Sequence, residues 1–272
     1  MVKLRVGTVP YLNAVPLSAP LEEREDVELL EAVPSLLAER LCRGELDVAI
    51  LPVGALVDGT FGIVPGVSIA CWGKVMSVCL FSRRPLEEVR TVALDPSSRT
   101  SVLLARLLIE GRLGLRPEYV RPPLGAPMEE VETDAAVVIG DPALRWSRPD
   151  PVRVDLGEEW SRASGLPFVF AVWAVRSGVE FPGLVKLFQD AKRIGQDRLD
   201  QLAKREARRR RLPTELCRRY LREAVRFELG HWELAGLKWF FTLAWEQGLI
   251  PFVPEVDRRL LRLETSERVE PS

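Results

Sequence analysis

Apolar and polar residues alternate from Leu4 to Val9, the period of a half-buried strand, and Pro10-Tyr11-Leu12-Asn13 then breaks the alternation with residues suited to a turn. Val27 to Val33 reads as a second strand. Ser35 caps a short helix whose apolar face holds Leu36, Leu37 and Leu41, and Gly44 fits its C-terminal stop. Leu46 to Leu51 follows as a buried strand closed by Pro52. This βαβ rhythm predicts an α/β protein with a parallel sheet covered by helices.

A further strand runs from Val75 to Ser82, before Arg83-Arg84-Pro85 punctuates the chain. Val92-Ala93-Leu94 opens onto the hydroxyl-rich stretch Asp95 to Ser101 and a helix carrying Val102, Leu103, Leu107 and Leu108. Ala135 to Ile139 is a strand that ends at Gly140-Asp141-Pro142, and Phe168 to Val175 is a long one. From Gly183 the pattern is helical: one segment to about Arg211, a second after Pro213, and a third from Leu234 to Trp245. In that third segment Trp232, Trp239, Phe240, Phe241 and Trp245 recur at helical spacings and read as core. A helical tail cannot add a βαβ unit, so it is expected to pack back on the first lobe. Residues 1–84 plus 174–272 are then predicted to form lobe I and residues 85–173 lobe II. The crossings lie near Ser82 to Val89 and Val172 to Ser177, with a ligand cleft between the lobes.

Charge narrows the partners. The 38 Lys plus Arg residues against 39 Asp plus Glu give a net charge of −1, which argues against nucleic acid or an anionic membrane and leaves a small molecule as the expected ligand. No apolar run approaches the roughly 18 residues of a membrane span, and the N-terminus lacks the apolar stretch of a signal peptide. Cys42, Cys71, Cys79 and Cys217 contain no Cys-x-x-Cys pair, and a single histidine excludes a site needing two imidazoles, so no metal is expected. A cytoplasmic protein with reduced thiols, as monomer or homodimer, is the reading. Gly-x-Gly-x-x-Gly, the P-loop and Gly-x-Ser-x-Gly are all missing, so no nucleotide cofactor or serine hydrolase site has support. His231 lies at a junction between helices and reads as a surface or cap residue. The basic run Lys204 to Arg211 reads as a solvated helix face.

What remains is a set of polar residues at the ends of predicted strands, where open α/β sheets bind ligands. Tyr11 and Asn13 follow the first strand, Ser77 lies in the strand from Val75, and Ser98, Thr100 and Ser101 sit at a helix start. Gly140 and Asp141 end a further strand. A helix N-terminus with three hydroxyls suits a carboxylate; equally, Ser98 or Thr100 can serve only as a cap. Asp47 is expected to bind neighbouring backbone amides, outside the site.

Val9-Pro10-Tyr11-Leu12-Asn13-Ala14-Val15-Pro16-Leu17, Gly44 to Ala49, Gly66 to Ile69, Ser77-Val78 with Phe81-Ser82, Ser98 to Ser101, Gly140 to Leu144 and Gly165 to Ala171 together carry a resemblance, extended by Tyr220-Leu221, Gly236-Leu237 and Gly248 to Ile250. In their order and spacing the chain resembles the chorismate dehydratase family of the futalosine route to menaquinone. The related 1,4-dihydroxy-6-naphthoate synthases share the fold but differ at the N-terminal segment, where Pro-Tyr-Leu-Asn favours the dehydratase. The resemblance implies a two-lobed fold of the periplasmic-binding-protein type II kind, each lobe a mixed or parallel sheet flanked by helices. It implies a hydro-lyase, without cofactor, that converts chorismate to 3-[(1-carboxyvinyl)oxy]benzoate and water. On that reading Asn13 and Ser77 are catalytic donors toward the developing charge. Ser98, Thr100 and Ser101 hold a carboxylate with Arg99 assisting, and Tyr11, Gly140, Asp141 and Phe168 complete the substrate contacts. The base is either Asp141, another carboxylate or the substrate's own enolpyruvyl carboxylate. A non-catalytic binding protein for a small anion, on the same fold, is the rival reading.

Overall fold

The structure, a computed structural model, describes residues 3–97, 99–149 and 152–262. Strand β1 (Leu4–Thr8) leads through a 3₁₀ turn, Leu12–Ala14, into α1 (Val15–Glu22); β2 (Val27–Glu31), α2 (Pro34–Cys42) and β3 (Val48–Pro52) follow. A second 3₁₀ turn, Val53–Val57, precedes β4 (Gly62–Cys71), β5 (Val78–Ser82), β6 (Thr91–Leu94) and α3 (Arg99–Arg106), which widens into a π-helical stretch over Leu107–Arg112. Next come β7 (Glu118–Val120), β8 (Ala135–Ile139), α4 (Asp141–Arg145), β9 (Val152–Asp155), α5 (Leu156–Ser164) and β10 (Phe168–Val175). The rest is helical: α6 (Leu184–Asp197), α7 (Leu199–Arg210), α8 (Thr214–Arg219) with a π turn at Tyr220–Ala224, α9 (His231–Glu246) and α10 (Val256–Arg259).

Two five-stranded sheets result, with orders β2-β1-β3-β10-β4 and β7-β6-β8-β5-β9. Each is mixed. In the first, β1 pairs in parallel with β2 and β3 while β10 runs antiparallel to β3 and β4. In the second, β6 pairs in parallel with β7 and β8 while β5 runs antiparallel to β8 and β9. Central strands β3 and β8 are buried nearly throughout, which is why they read as unbroken apolar runs rather than alternations.

The chain changes sheets earlier than the lobe boundaries at 84 and 174 imply. β5 already belongs to the second sheet, and β10 returns to complete the first, so the crossings fall at residues 72–77 and 156–167. Strand length alone cannot say which sheet an apolar run joins; pairing partners decide it. The two crossings are tied by one side chain. Asp155 accepts hydrogen bonds from Val75 N and Met76 N on the first (3.0 and 2.7 Å) and from Gly157 N and Glu158 N at the start of α5 (3.0 and 3.1 Å).

Strand β4 is hidden in the sequence because Pro65-Gly66 at its middle reads as a turn. The structure places a bulge there: β10 Val172 pairs with Ser68 but Ala174 pairs with Ile63, and Gly66 takes φ +77°. The carbonyls of Pro65 and Gly66, turned out of the ladder, accept from Gln189 Nε2 (3.1 Å) and Lys192 Nζ (2.8 Å) of α6. Helix α6 also presses on α1 so closely that a Cβ on Gly195 would lie 1.7 Å from the Pro16 carbonyl oxygen. The helical segment expected to run to Arg211 breaks at Arg198, between α6 and α7, and Arg211 ends α7 in the left-handed conformation with φ +54°.

Helix α9 corrects a second expectation. Gly236, Leu237, Phe240, Phe241 and Ala244 form its buried stripe, whereas Trp232, Trp239 and Trp245 are 55%, 43% and 52% exposed. Aromatic residues occupy both faces, so their spacing could not single out the inward one. His231 is exposed at the first position of α9. Among the described residues no helix is long and apolar enough to cross a membrane, and no group of three or more His, Cys, Asp or Glu could hold a metal ion.

Asp47, just before β3, joins three strand ends. It accepts from Arg5 N, Nε and Nη2 (3.0, 3.1 and 2.7 Å) and from Arg176 Nη2 (2.9 Å). Burial alone raises its pKa, but these bonds outweigh it and hold the carboxyl at about 2. A carboxyl lowered by folding contributes stability above its unfolded pKa of about 3.9 and loses it as pH falls toward the folded value. The urea midpoint is therefore expected to fall between about pH 4 and pH 2, and Asp47→Asn to flatten that part of the profile.

Candidate active site

The turn after β1, the end of β3 and the end of β8 meet where the two sheets face each other, at the carboxyl ends of parallel strands. A cleft there encloses about 560 Å³ of unfilled space, its open mouth included. Its apolar wall comes from Val9, Ile50, Ile69, Val78, Ile139 and Phe170. Tyr11, Asn13, Ser77 and Ser101 supply side-chain polar groups, and Gly140 the sharpest backbone turn. Among the described residues none that lines the cleft carries a charged side chain.

Gly140 explains how the polar residues reach this spot. Its N–H donates to the Ser77 carbonyl at 2.7 Å, which anchors Ser77 beside the end of β8. With φ +66° and ψ −147° it turns the chain into α4 in a conformation open to glycine. A Cβ there would also lie 3.0 Å from the Tyr11 ring. Tyr11 thus packs over bare backbone. Burial foremost, then the nearby charges of Asp95 and Asp141, raise the Tyr11 pKa against the opposing effect of Ser97, so its phenol stays protonated at neutral pH.

Behind the cleft wall Ser77, itself buried, accepts a hydrogen bond from Tyr220 Oη at 2.8 Å. Asn13, whose Oδ1 is buried without a partner, lines the same cleft. Tyr220 is fully buried, and that burial pushes its pKa far up. Its hydroxyl keeps its proton.

The structure brings Tyr11, Asn13, Ser77, Ser101 and Gly140 together and places the other expected residues elsewhere. Arg99 pairs with Asp58 on the surface, outside the cleft lining. Thr100 is buried, and its Oγ1 accepts from Gly54 N at 2.8 Å, joining α3 to the 3₁₀ turn after β3. Phe168 is core: it packs against Trp160, Phe170 and Phe240 with ring centroids 5.3, 4.7 and 5.0 Å away, and Phe170 is the ring that faces the cleft. The register shift between Val169 and Ala171 accompanies that exchange. Ser98 lies outside the described residues.

Asp141 is not a free acid at the strand end. Its Oδ1 accepts from Leu12 N at 3.1 Å and its Oδ2 from Arg210 Nη1 at 2.5 Å, with both side chains almost fully buried. Arg210 Nη1 also donates to the Pro10 carbonyl at 2.8 Å, and Nη2 lies 3.1 Å from Glu206. The basic run read as a solvated face therefore contains one buried cation. Both carboxylate oxygens hold the turn that carries Tyr11 and Asn13, so Asp141 is ill placed to accept a substrate proton. The sequence offered no local signal for Arg210 or Tyr220, which sit 69 and 143 positions from their partners.

Fold and cleft together define a two-lobed α/β protein of the periplasmic-binding-protein kind. Solved structures of that shape include a protein from Archaeoglobus fulgidus, with TM-score 0.72, 19% identity and coverage of 91% of this chain and 98% of that one. The periplasmic aliphatic sulphonate-binding protein of Escherichia coli has TM-score 0.68 and 18% identity, with coverage of 100% and 96%. A family model described as menaquinone biosynthesis matches residues 4–246, and the chain belongs to that family. Among its relatives, a chorismate dehydratase of Thermus thermophilus is 34% identical over 269 residues, covering 92% of this chain and 96% of that protein. One of Campylobacter jejuni is 28% identical over 244 residues, covering 86% and 94%.

Removing one partner of a buried, hydrogen-bonded ion pair strands the other. Asp141→Ala is expected to destabilise the fold on the order of 3 kcal/mol, read from urea unfolding.

Proposed function

We propose that the chain is a carbon–oxygen lyase that dehydrates chorismate to 3-[(1-carboxyvinyl)oxy]benzoate. The observation that carries the reading is an apolar cleft with neutral hydrogen-bonding groups at its strand ends, in a chain related over nearly its whole length to chorismate dehydratases. The reaction removes the C3 proton and the C4 hydroxyl, and together these leave as water. Aromatisation of the ring supplies the driving force. The charge formed at C3 spreads through the ring diene to the ring carboxylate, so the protein's task is to orient the substrate and to place donors where charge develops.

Ser77 serves as such a donor, Asn13 orients the substrate, and Tyr11, Ser101 and the backbone at Gly140 contact it. The proton acceptor is the substrate's enolpyruvyl carboxylate. Two facts support this: the described cleft lining offers neither a carboxylate nor an imidazole, and both Asp141 oxygens are occupied. Held against an apolar wall, a carboxylate beside C3 acts at high effective molarity and with raised basicity. The four free thiols fit a reducing compartment, and the reading places the enzyme in the cytoplasm.

Purified protein incubated with chorismate is expected to yield a product one water lighter with aromatic absorbance. Ser77→Ala is expected to lower kcat about a hundredfold, the typical loss for one well-placed donor. Tight binding of chorismate without conversion would instead favour a small-anion binding protein.

A further inference from the structure

The hydroxyl of Tyr220 has no access to solvent and is not among the groups lining the cleft, yet it meets the side chain of Ser77, which does line it. It is brought there by the π turn Tyr220–Ala224, which follows α8. Tyr220 Oη donates its single hydrogen to Ser77 Oγ, so the hydrogen of Ser77 must point elsewhere. No other described group accepts from Ser77, whose remaining open side is the cleft.

We propose that Tyr220 is a positioning residue for the dehydration: by donating to Ser77 Oγ it turns the Ser77 O–H toward the cleft, so that Ser77 presents a donor to the substrate. This inference rests on the dehydratase reading and deepens it by assigning hydrogen-bond polarity to the site. The ligand atom beside Ser77 then carries lone pairs, as an anionic oxygen does. A phenol whose burial keeps it protonated is suited to this task, because its polarity does not reverse over the working pH range. Each donor in such a chain strengthens the next, and the effect reaches the substrate through Ser77.

The test compares steady-state kinetics on chorismate for the wild-type enzyme, Tyr220→Phe, Ser77→Ala and the double variant. Tyr220→Phe is expected to lower kcat about ten- to a hundredfold while KM changes less than about threefold. The double variant is expected to be no slower than Ser77→Ala, because Tyr220 acts through Ser77. Wild-type kcat in Tyr220→Phe, or losses that multiply in the double variant, would overturn the proposal. A lowered melting temperature with kcat intact would overturn it too, as the mark of a purely structural hydroxyl. If Tyr220→Phe fails to fold, 3-fluorotyrosine at position 220 keeps the packing and makes the hydroxyl a stronger donor. There a kcat changed at least about twofold supports the role and an unchanged kcat refutes it. Absence of chorismate turnover by the wild-type enzyme would remove the dehydratase reading and the proposal together. Turnover by wild type with an indifferent Tyr220 removes the proposal alone.

Discussion

One buried carboxylate governs how the two sheets meet. Asp141 stands at the corner between β8 of the second sheet and α4, and its two oxygens hold Leu12 N, in the turn that follows β1 of the first sheet, and Arg210 of α7. Arg210 in turn grips the Pro10 carbonyl. Three segments distant in sequence are fixed by one ion pair whose members are almost wholly removed from water. Desolvation makes such a pair a poor source of net stability, but a misaligned version would leave a bare charge in the interior. The pair therefore acts by excluding alternatives. The turn bearing Tyr11 and Asn13 has one place to sit.

That arrangement separates charge from chemistry. The charged groups nearest the cleft neutralise one another behind its wall, and the lining itself is apolar surface with hydroxyls and an amide. For an anionic substrate this has a clear consequence. A lysine or arginine in contact would hold substrate and transition state alike, whereas hydrogen-bond donors placed where charge appears favour the transition state. Against an apolar wall, with no charged side chain in the described lining, a substrate carboxylate also keeps its basicity.

Several elements were legible because their burial leaves a pattern in one stretch of chain. β1 alternates apolar and polar residues and β3, β8 and β10 are apolar runs bounded by turn residues, and the strand-end rule drew attention to Tyr11, Asn13, Ser77 and Gly140. Elsewhere one stretch was not enough. Pro65-Gly66 concealed β4 because a bulge and a turn use the same residues, and only pairing with β10 and cover from α6 tells them apart. β7 and β9 are short edge strands with little apolar content. Thr100 shows the reverse error: a hydroxyl at a helix start looked available to a ligand, but Gly54 N occupies it.

The sequence by itself determined the class of fold, the neutral charge balance and the family resemblance, because these follow from local periodicity, composition and the order of short motifs. Tertiary structure alone decided which sheet β5 and β10 join, which tryptophans face outward, and that Asp141 is spent on Arg210. It alone brought Tyr220 to Ser77 across 143 residues. The physical reason is common to all of these. A hydrogen bond or ion pair between distant segments depends on where both partners are carried by the packing of whole helices and sheets, and neither partner records the other in its own neighbourhood.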